Sequence, residues 1–177
     1  MQKLGKQIGG FLIGVLLLAS SMPAVSNESR AREYKIKAAY LYNLIKFINW
    51  PKTATPQTTT HICVIGDNPF GQNLNKLTHR SAKGMPITVS HQANQITEDG
   101  CHIIFVAHKS MSKNLLSTLS GQSILTVGEH QTFTEQGGLI SLVVINNNVQ
   151  LQINLSKAKA EGFEISGNLL EIAKIVK

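Results

Sequence analysis

Cysteine is scarce in this chain of 177 residues, with two in all, and so are proline, at five, aromatic residues, at 6%, and charged residues, at 15%. Each shortage excludes something. Two thiols cannot make a disulfide-framework miniprotein, and unaided they cannot complete a four-thiolate zinc or iron–sulfur site. Five prolines and 14 glycines leave no room for a collagen-like or Pro-rich low-complexity chain. Acids number ten, and Glu98 with Asp99 is the sole adjacent pair, which offers little to a two-carboxylate glycosidase. Missing too are a Gly-x-Ser-x-Gly elbow, a His-Glu-x-x-His pair, a protease-like Cys, His and Asn set, a P-loop and the full dinucleotide glycine spacing. The chain is therefore expected not to be an enzyme and to need no cofactor or resident metal. What is present, an apolar share of 42%, suffices for one globular core.

The longest apolar run is at the start; the best later one, Leu139 to Ile145, has only strand length. Lys3 and Lys6 precede a compact apolar stretch from Ile8 to Ala19, followed by Pro23, Ala24, Val25 and Ser26. A basic start, a short apolar centre and small residues predict a secretory signal peptide over residues 1–26, cleaved after about Ser26. The stretch is short for a membrane anchor, which needs about 20 apolar residues. Losing Lys3 and Lys6 lowers the formal net charge from +7 to +5. The remaining basic residues are scattered apart from Arg30, Arg32, Lys35 and Lys37, a cluster that suits either an anionic partner or a solvated helix face. Nucleic acid is not an expected partner, because no aromatic stacking pattern runs among the basic residues.

From residue 27 to 177 the patterning predicts one α/β domain, a mixed, mostly parallel sheet flanked by helices, with a C-terminal β-hairpin and terminal helices. Tyr34, Ala38, Leu41, Ile45 and Ile48 recur at steps of four and three, an amphipathic helix over Ser29 to Ile48 that Trp50 and Pro51 stop. His61 to Ile65, Ile87 to Val89, His102 to Ala107 and Ser123 to Val127 read as buried strands. They alternate with helix-like Phe70 to Leu77 and Met111 to Leu119, the grammar of a parallel sheet. Leu139 to Ile145, an Asn146–Asn148 turn and Val149 to Asn154 read as a hairpin with Gln150, Gln152 and Asn154 facing water. A last helix is predicted from about Gly167 to Val176.

Two places invite chemistry. Gly66, Asp67, Asn68, Pro69, Phe70 and Gly71 join a strand to a helix, where open α/β sheets place ligands. The loop could hold an anion or small ligand, but Asn68 as N-cap and Pro69 as first helical residue explain it as helix initiation without any ligand. Cys63 lies within the first long strand and Cys101 just before a later one. In an exported chain the two are expected to be joined, since adjacent parallel strands bring α-carbons within roughly 4.4 to 6.8 Å. A redox switch, or a metal site using His61 and His102, is the alternative. His79, His91, His108 and His130 show no ligand spacing.

The chain resembles the YfiR-like family of exported bacterial proteins from about Tyr34 to Val176. The pieces that carry the likeness are Lys37 to Asn43 (KAAYLYN) with Phe47 and Trp50-Pro51, Ile62 to Asp67 (ICVIGD) with Pro69-Phe70-Gly71, and Cys101 to Phe105 (CHIIF). Leu125-Thr126-Val127, Phe133 with Gly137 to Ile140, Ile153-Asn154 and Leu169-Leu170 complete them. The resemblance implies a periplasmic regulator that represses an inner-membrane diguanylate cyclase by binding its periplasmic region, lowering cyclic di-GMP and biofilm formation. It also implies an outer-membrane lipoprotein that sequesters the repressor. Cys63 and Cys101 match the family's buried disulfide pair, whereas a second pair found in the best-known member is missing here, and with it any redox control resting on that pair. A homodimer is expected. Arg30, Arg32, Tyr40, Tyr42 and Trp50, all in or near the first helix, are the expected partner-binding residues, because exposed aromatics and arginines dominate interfaces. The alternative function is small-ligand binding at the Gly66 to Gly71 loop.

Overall fold

The computed structural model describes residues 25–52, 58–92, 100–107 and 113–176. The predicted signal peptide, apart from Val25 and Ser26, lies outside the described residues, as do Glu98, Asp99 and His108. In chain order the elements are helix α1 (Val25–Phe47), strands β1 (Ile48–Asn49) and β2 (Thr60–Ile65), helix α2 (Gln72–Asn75), continued by a 3-10 turn over Lys76–His79, then β3 (Ser81–Ala82), β4 (Met85–Gln92) and β5 (Ile103–Val106). Helix α3 (Lys113–Leu119), β6 (Leu125–Gly128), the hairpin β7 (Ile140–Ile145) and β8 (Asn148–Asn154), α4 (Leu155–Ala160), β9 (Glu164–Ile165), α5 (Gly167–Glu171) and β10 (Lys174–Val176) follow.

Eight strands form one sheet in the order β10-β8-β7-β6-β5-β2-β4-β3. All neighbours are parallel except the β7–β8 hairpin and the β3–β4 pair at the far edge. The mixed, mostly parallel α/β sheet expected from the sequence is thus the observed architecture. Its central strands are buried on both faces, which is why they read as continuous apolar runs. Ile62, Val64, Ile103, Phe105, Leu125 and Val127 join the core under α1, while Cys63, Ile65, Ile104 and Val106 form a second cluster with Leu115, Leu116 and Leu119 of α3.

The stripe predicted on α1 is buried throughout, at Tyr34, Ala38, Leu41, Ile45 and, just past the helix, Ile48. Lys37, placed with a basic cluster that suited a solvated face, is 2% exposed and lies in the same stripe. Its spacing of three from Tyr34 and four from Leu41 puts it there whatever its charge. Beyond the helix, Ile48–Asn49 pair antiparallel with Glu164–Ile165 and tie the end of α1 to the C-terminal segment. At the hairpin, Asn146 and Asn147 both take positive φ, 48° and 63°, the two-residue turn whose twist matches the strands.

Three expectations need correction. The last helix stops at Glu171, and Lys174–Val176 add a parallel edge strand to β8. The β-branched Ile175 and Val176 and the unpaired backbone edge of β8 override the helical spacing. The polar face of β8 does not meet water along its length. Gln152 and Asn154 are buried, and Asn154 Nδ2 donates to Thr134 O (3.3 Å) in the turn segment 131–137. That segment is held by Phe133, whose ring fills a slot between two glycines. A Cβ on Gly128 would stand 2.3 Å from Phe133 Cδ2, and one on Gly138 2.1 Å from Cε1. Finally, α2 begins at Gln72 with Gly71 as its N-cap, at φ 54°, instead of at Pro69 with Asn68 as cap. Asn68 Oδ1 accepts from Phe70 N (3.0 Å), a local turn that competes with helix initiation.

Candidate functional site

The crossover from β2 leads outward to β4, and that from β5 leads the other way to β6, so the sheet switches direction between β2 and β5. A crevice opens at such a point beyond the strand carboxyl ends. Here it is a cavity of about 260 Å³ lined by Asp67, Asn68, Pro69 and Ala107 from the strand ends and by Arg30 and Tyr34 of α1. A wider depression of about 450 Å³ adjoins it, with Lys37, Glu33, Glu129 and His130 in its wall. Tyr34 and Glu129 line both.

Glu129 directly follows β6, and its carboxylate sits at the centre of a buried charge cluster. Lys37 Nζ donates to Glu129 Oε2 at 2.6 Å and also to Glu33 one turn earlier on α1, and Tyr34 Oη donates to Glu129 Oε2 at 3.0 Å. The Lys37 side chain is 3% exposed and that of Glu129 6%. Burial first, then the Glu129 charge and hydrogen bond, push the Tyr34 phenol well above its usual range, so it remains a proton donor. Edge-to-face stacking carries the ring on to Phe70 (5.4 Å) and from there to Phe105 (4.7 Å). The arrangement fastens α1 to the carboxyl edge of the sheet. It presents fixed charge and donors to a ligand or partner, with its one buried amine already committed to two carboxylates.

Of the predicted loop, Asp67 and Asn68 are exposed at the crevice, Gly66 turns the chain, and Gly71 is open to solvent. Phe70 is buried in the core, behind the Tyr34 ring. The five partner-binding candidates do not form one patch. Arg30 stands at the crevice rim, its guanidinium 5.9 Å from the Tyr34 ring centre. Arg32, also exposed, lies beside the tip of the β7–β8 hairpin. Tyr40 is half-buried against the core. Trp50 donates from Nε1 to His102 O (3.3 Å) and meets Phe163 edge-on at 6.0 Å, so it anchors the fold. Tyr42 is different: half-buried, bonded to Ser81 O (3.3 Å), and flanked by Lys46 at 5.6 Å and Arg80 at 5.4 Å. With Lys35 and Lys76 it borders a hollow of about 380 Å³, an aromatic inside a basic collar.

Arg80 and Lys76 escaped sequence reasoning because their partner Tyr42 is more than 30 residues away. The Lys37–Glu129 pair escaped for the same reason, although the Glu33–Lys37 spacing of four was a visible hint.

Cys63 and Cys101 are joined, with α-carbons 5.9 Å apart, and the bond is buried beneath α3. Of the two histidines considered with them, His61 lies beside the sulfurs, whereas His102 lines a separate cavity of about 250 Å³ with Trp50 and Lys83. His102 Nδ1 accepts from His61 N (2.9 Å), which places its proton on Nε2. Burial, then the neighbouring His61, hold its pKa below the usual value.

A family model described as YfiR/HmsC-like (DUF4154) matches residues 34–174. Among solved structures, a conserved domain protein from Vibrio cholerae O1 biovar El Tor str. N16961 is similar, with a TM-score of 0.54 and 13% identity. The match covers 81% of this chain and 60% of that one, and at this identity the likeness is one of fold. A search of curated proteins found no match.

Proposed function

The chain belongs to the YfiR/HmsC-like family, and from that membership we propose that it is a periplasmic regulator, freed of residues 1–26 on export and acting as the single domain 27–177. It represses an inner-membrane diguanylate cyclase by binding that enzyme's periplasmic region, and so lowers cyclic di-GMP and biofilm formation. An outer-membrane lipoprotein that captures the regulator would relieve the repression. The observation that carries this reading is the family match across nearly all of the folded chain. The Cys63–Cys101 disulfide supports it.

Repression by binding requires only that the regulator prefer one state of its target, since a ligand shifts an equilibrium by its difference in affinity for the two states. A surface is sufficient, and Tyr42 with its basic collar of Lys46, Lys76 and Arg80 suits an acidic partner. Deleting the gene is expected to raise cyclic di-GMP, and the wild-type copy to restore it. A Tyr42→Ala/Arg80→Glu copy that folds normally is expected not to. Unchanged cyclic di-GMP on deletion refutes the cyclase reading, and full restoration by the double variant refutes this surface. Light scattering of the purified domain checks the expected homodimer.

The crevice at the β2–β5 switch point favours a second reading, a small-ligand binding protein using Asp67, Asn68, Arg30 and Tyr34. Gently purified protein would then carry a co-purifying small molecule in native mass spectrometry, lost in Arg30→Ala. Its absence, with no thermal shift across amino acids, vitamins and nucleotides, refutes this reading.

A further inference from the structure

Beneath α3, on the face of the sheet away from α1, lie three side chains that the proposed function does not use. His61 and Cys63 are two residues apart on β2 and so project from the same face. Cys101 reaches the same place from the segment leading into β5. A ring nitrogen of His61 and both sulfurs all lie within 4.8 Å of one another. The backbone beneath them is pinned, since His61 N donates to His102 Nδ1 and His102 N donates to His61 O, each at 2.9 Å. Both cysteines are buried, but His61 is half-exposed and opens the cluster to solvent.

We propose that reduction of the Cys63–Cys101 bond turns this cluster into a binding site for a thiophilic d10 cation, with the two thiolates and the His61 imidazole as ligands and water in the fourth position. The disulfide accepts two electrons and two protons from a dithiol reductant, which becomes a disulfide in turn, leaving two thiols. The cation then displaces both thiol protons and binds two sulfurs and one neutral ring nitrogen. Tetrahedral zinc with Zn–S bonds near 2.3 Å holds its sulfurs about 3.8 Å apart. With the two cysteine α-carbons 5.9 Å apart, rotation about their χ1 bonds supplies that separation without moving β2 or β5. Disulfide and metal compete for the same sulfurs, so the site holds one or the other and reports on both thiol redox state and metal supply. The inference stands apart from the regulatory reading and does not depend on it.

The test uses the whole folded domain, reduced anaerobically with a phosphine, with circular dichroism recorded before and after. Titration with Co²⁺ is expected to produce a thiolate-to-metal charge-transfer band in the near ultraviolet that saturates at one equivalent. One equivalent of Zn²⁺ should erase the band, and two protons should be released per metal. Oxidised protein and Cys63→Ser/Cys101→Ser are expected to show no band, and His61→Ala to bind about tenfold more weakly or worse, the least a lost ligand should cost given what outer-sphere losses cost. Absence of the band from folded reduced protein overturns the proposal, as does an equal band in oxidised protein or unchanged affinity in His61→Ala. Unfolding on reduction that Zn²⁺ fails to reverse overturns it too.

Discussion

Lys37 is the residue whose removal tests the charge cluster most directly. Changing Lys37→Met keeps the length and helix propensity of the side chain and removes its charge. Glu33, with 27% of its side chain exposed, can return to water, but Glu129, at 6%, cannot. Breaking a buried ion pair by deleting one partner costs about 3 to 5 kcal/mol. The hydrogen bond from Tyr34 still satisfies part of the Glu129 carboxylate, so the lower figure of about 3 kcal/mol applies. For a urea m-value of about 2 kcal/mol/M, the unfolding midpoint should fall by about 1.5 M. The single tryptophan, Trp50, packed on Phe163, gives the fluorescence signal, and far-ultraviolet circular dichroism checks that unfolding is two-state. Lys37→Met/Glu129→Gln should regain at least half of the loss, because it leaves no buried charge and Tyr34 keeps an acceptor. A single variant within about 0.3 M of wild type, or a double variant as unstable as the single one, would refute the argument that an uncompensated carboxylate is what destabilises the fold.

Three further expectations concern the rest of the fold. Gly128→Ala should displace the Phe133 ring and cost about 3 kcal/mol, the upper part of the overpacking range; adding Phe133→Leu should return part of it, and an unshifted melting temperature in the single variant contradicts the slot. His102 is held below its ordinary pKa, so the unfolded chain takes up its proton first as pH falls. Stability is therefore complete above about pH 6.5 and declines below it toward the lowered folded-state value, a slope that His102→Asn should flatten in urea midpoints measured from pH 7.5 to 5. Cys63→Ser/Cys101→Ser opens a loop closed across a separation of 38 residues, for which the chain-entropy model gives about 4 kcal/mol as an upper figure; a midpoint unchanged in urea would show the bond to be structurally idle.

Local periodicity carried most of the fold. The α1 stripe, the buried strands and the hairpin each have a repeat that backbone geometry imposes on the sequence, and each is present. What failed depends on residues far apart. Lys174–Val176 became a strand because β8 had an edge to offer, which the local spacing of Leu169, Ile172 and Val176 cannot show. Lys37 was assigned by its charge, whereas its position on the helix and Glu129, 92 residues away, decide where it sits. The site was legible only in part: Asp67 and Asn68 follow from the rule about strand ends, but the crevice also needs Arg30 and Tyr34 from another element. Trp50, expected as a contact for a partner, also holds Phe163 and the His102 carbonyl within the fold, which no local pattern around it shows.

The pairing of Ile48 with Ile165 fixes an order of events during synthesis. Helix α1 is made first, yet the strand that clasps its end arrives about 120 residues later, roughly 6 to 24 s at ordinary ribosomal speed. Until then the end of the helix stays unclasped, and its greasy side rests only on the central strands as they appear. The newborn polypeptide is thus a natural client for holding chaperones until its C-terminal segment emerges.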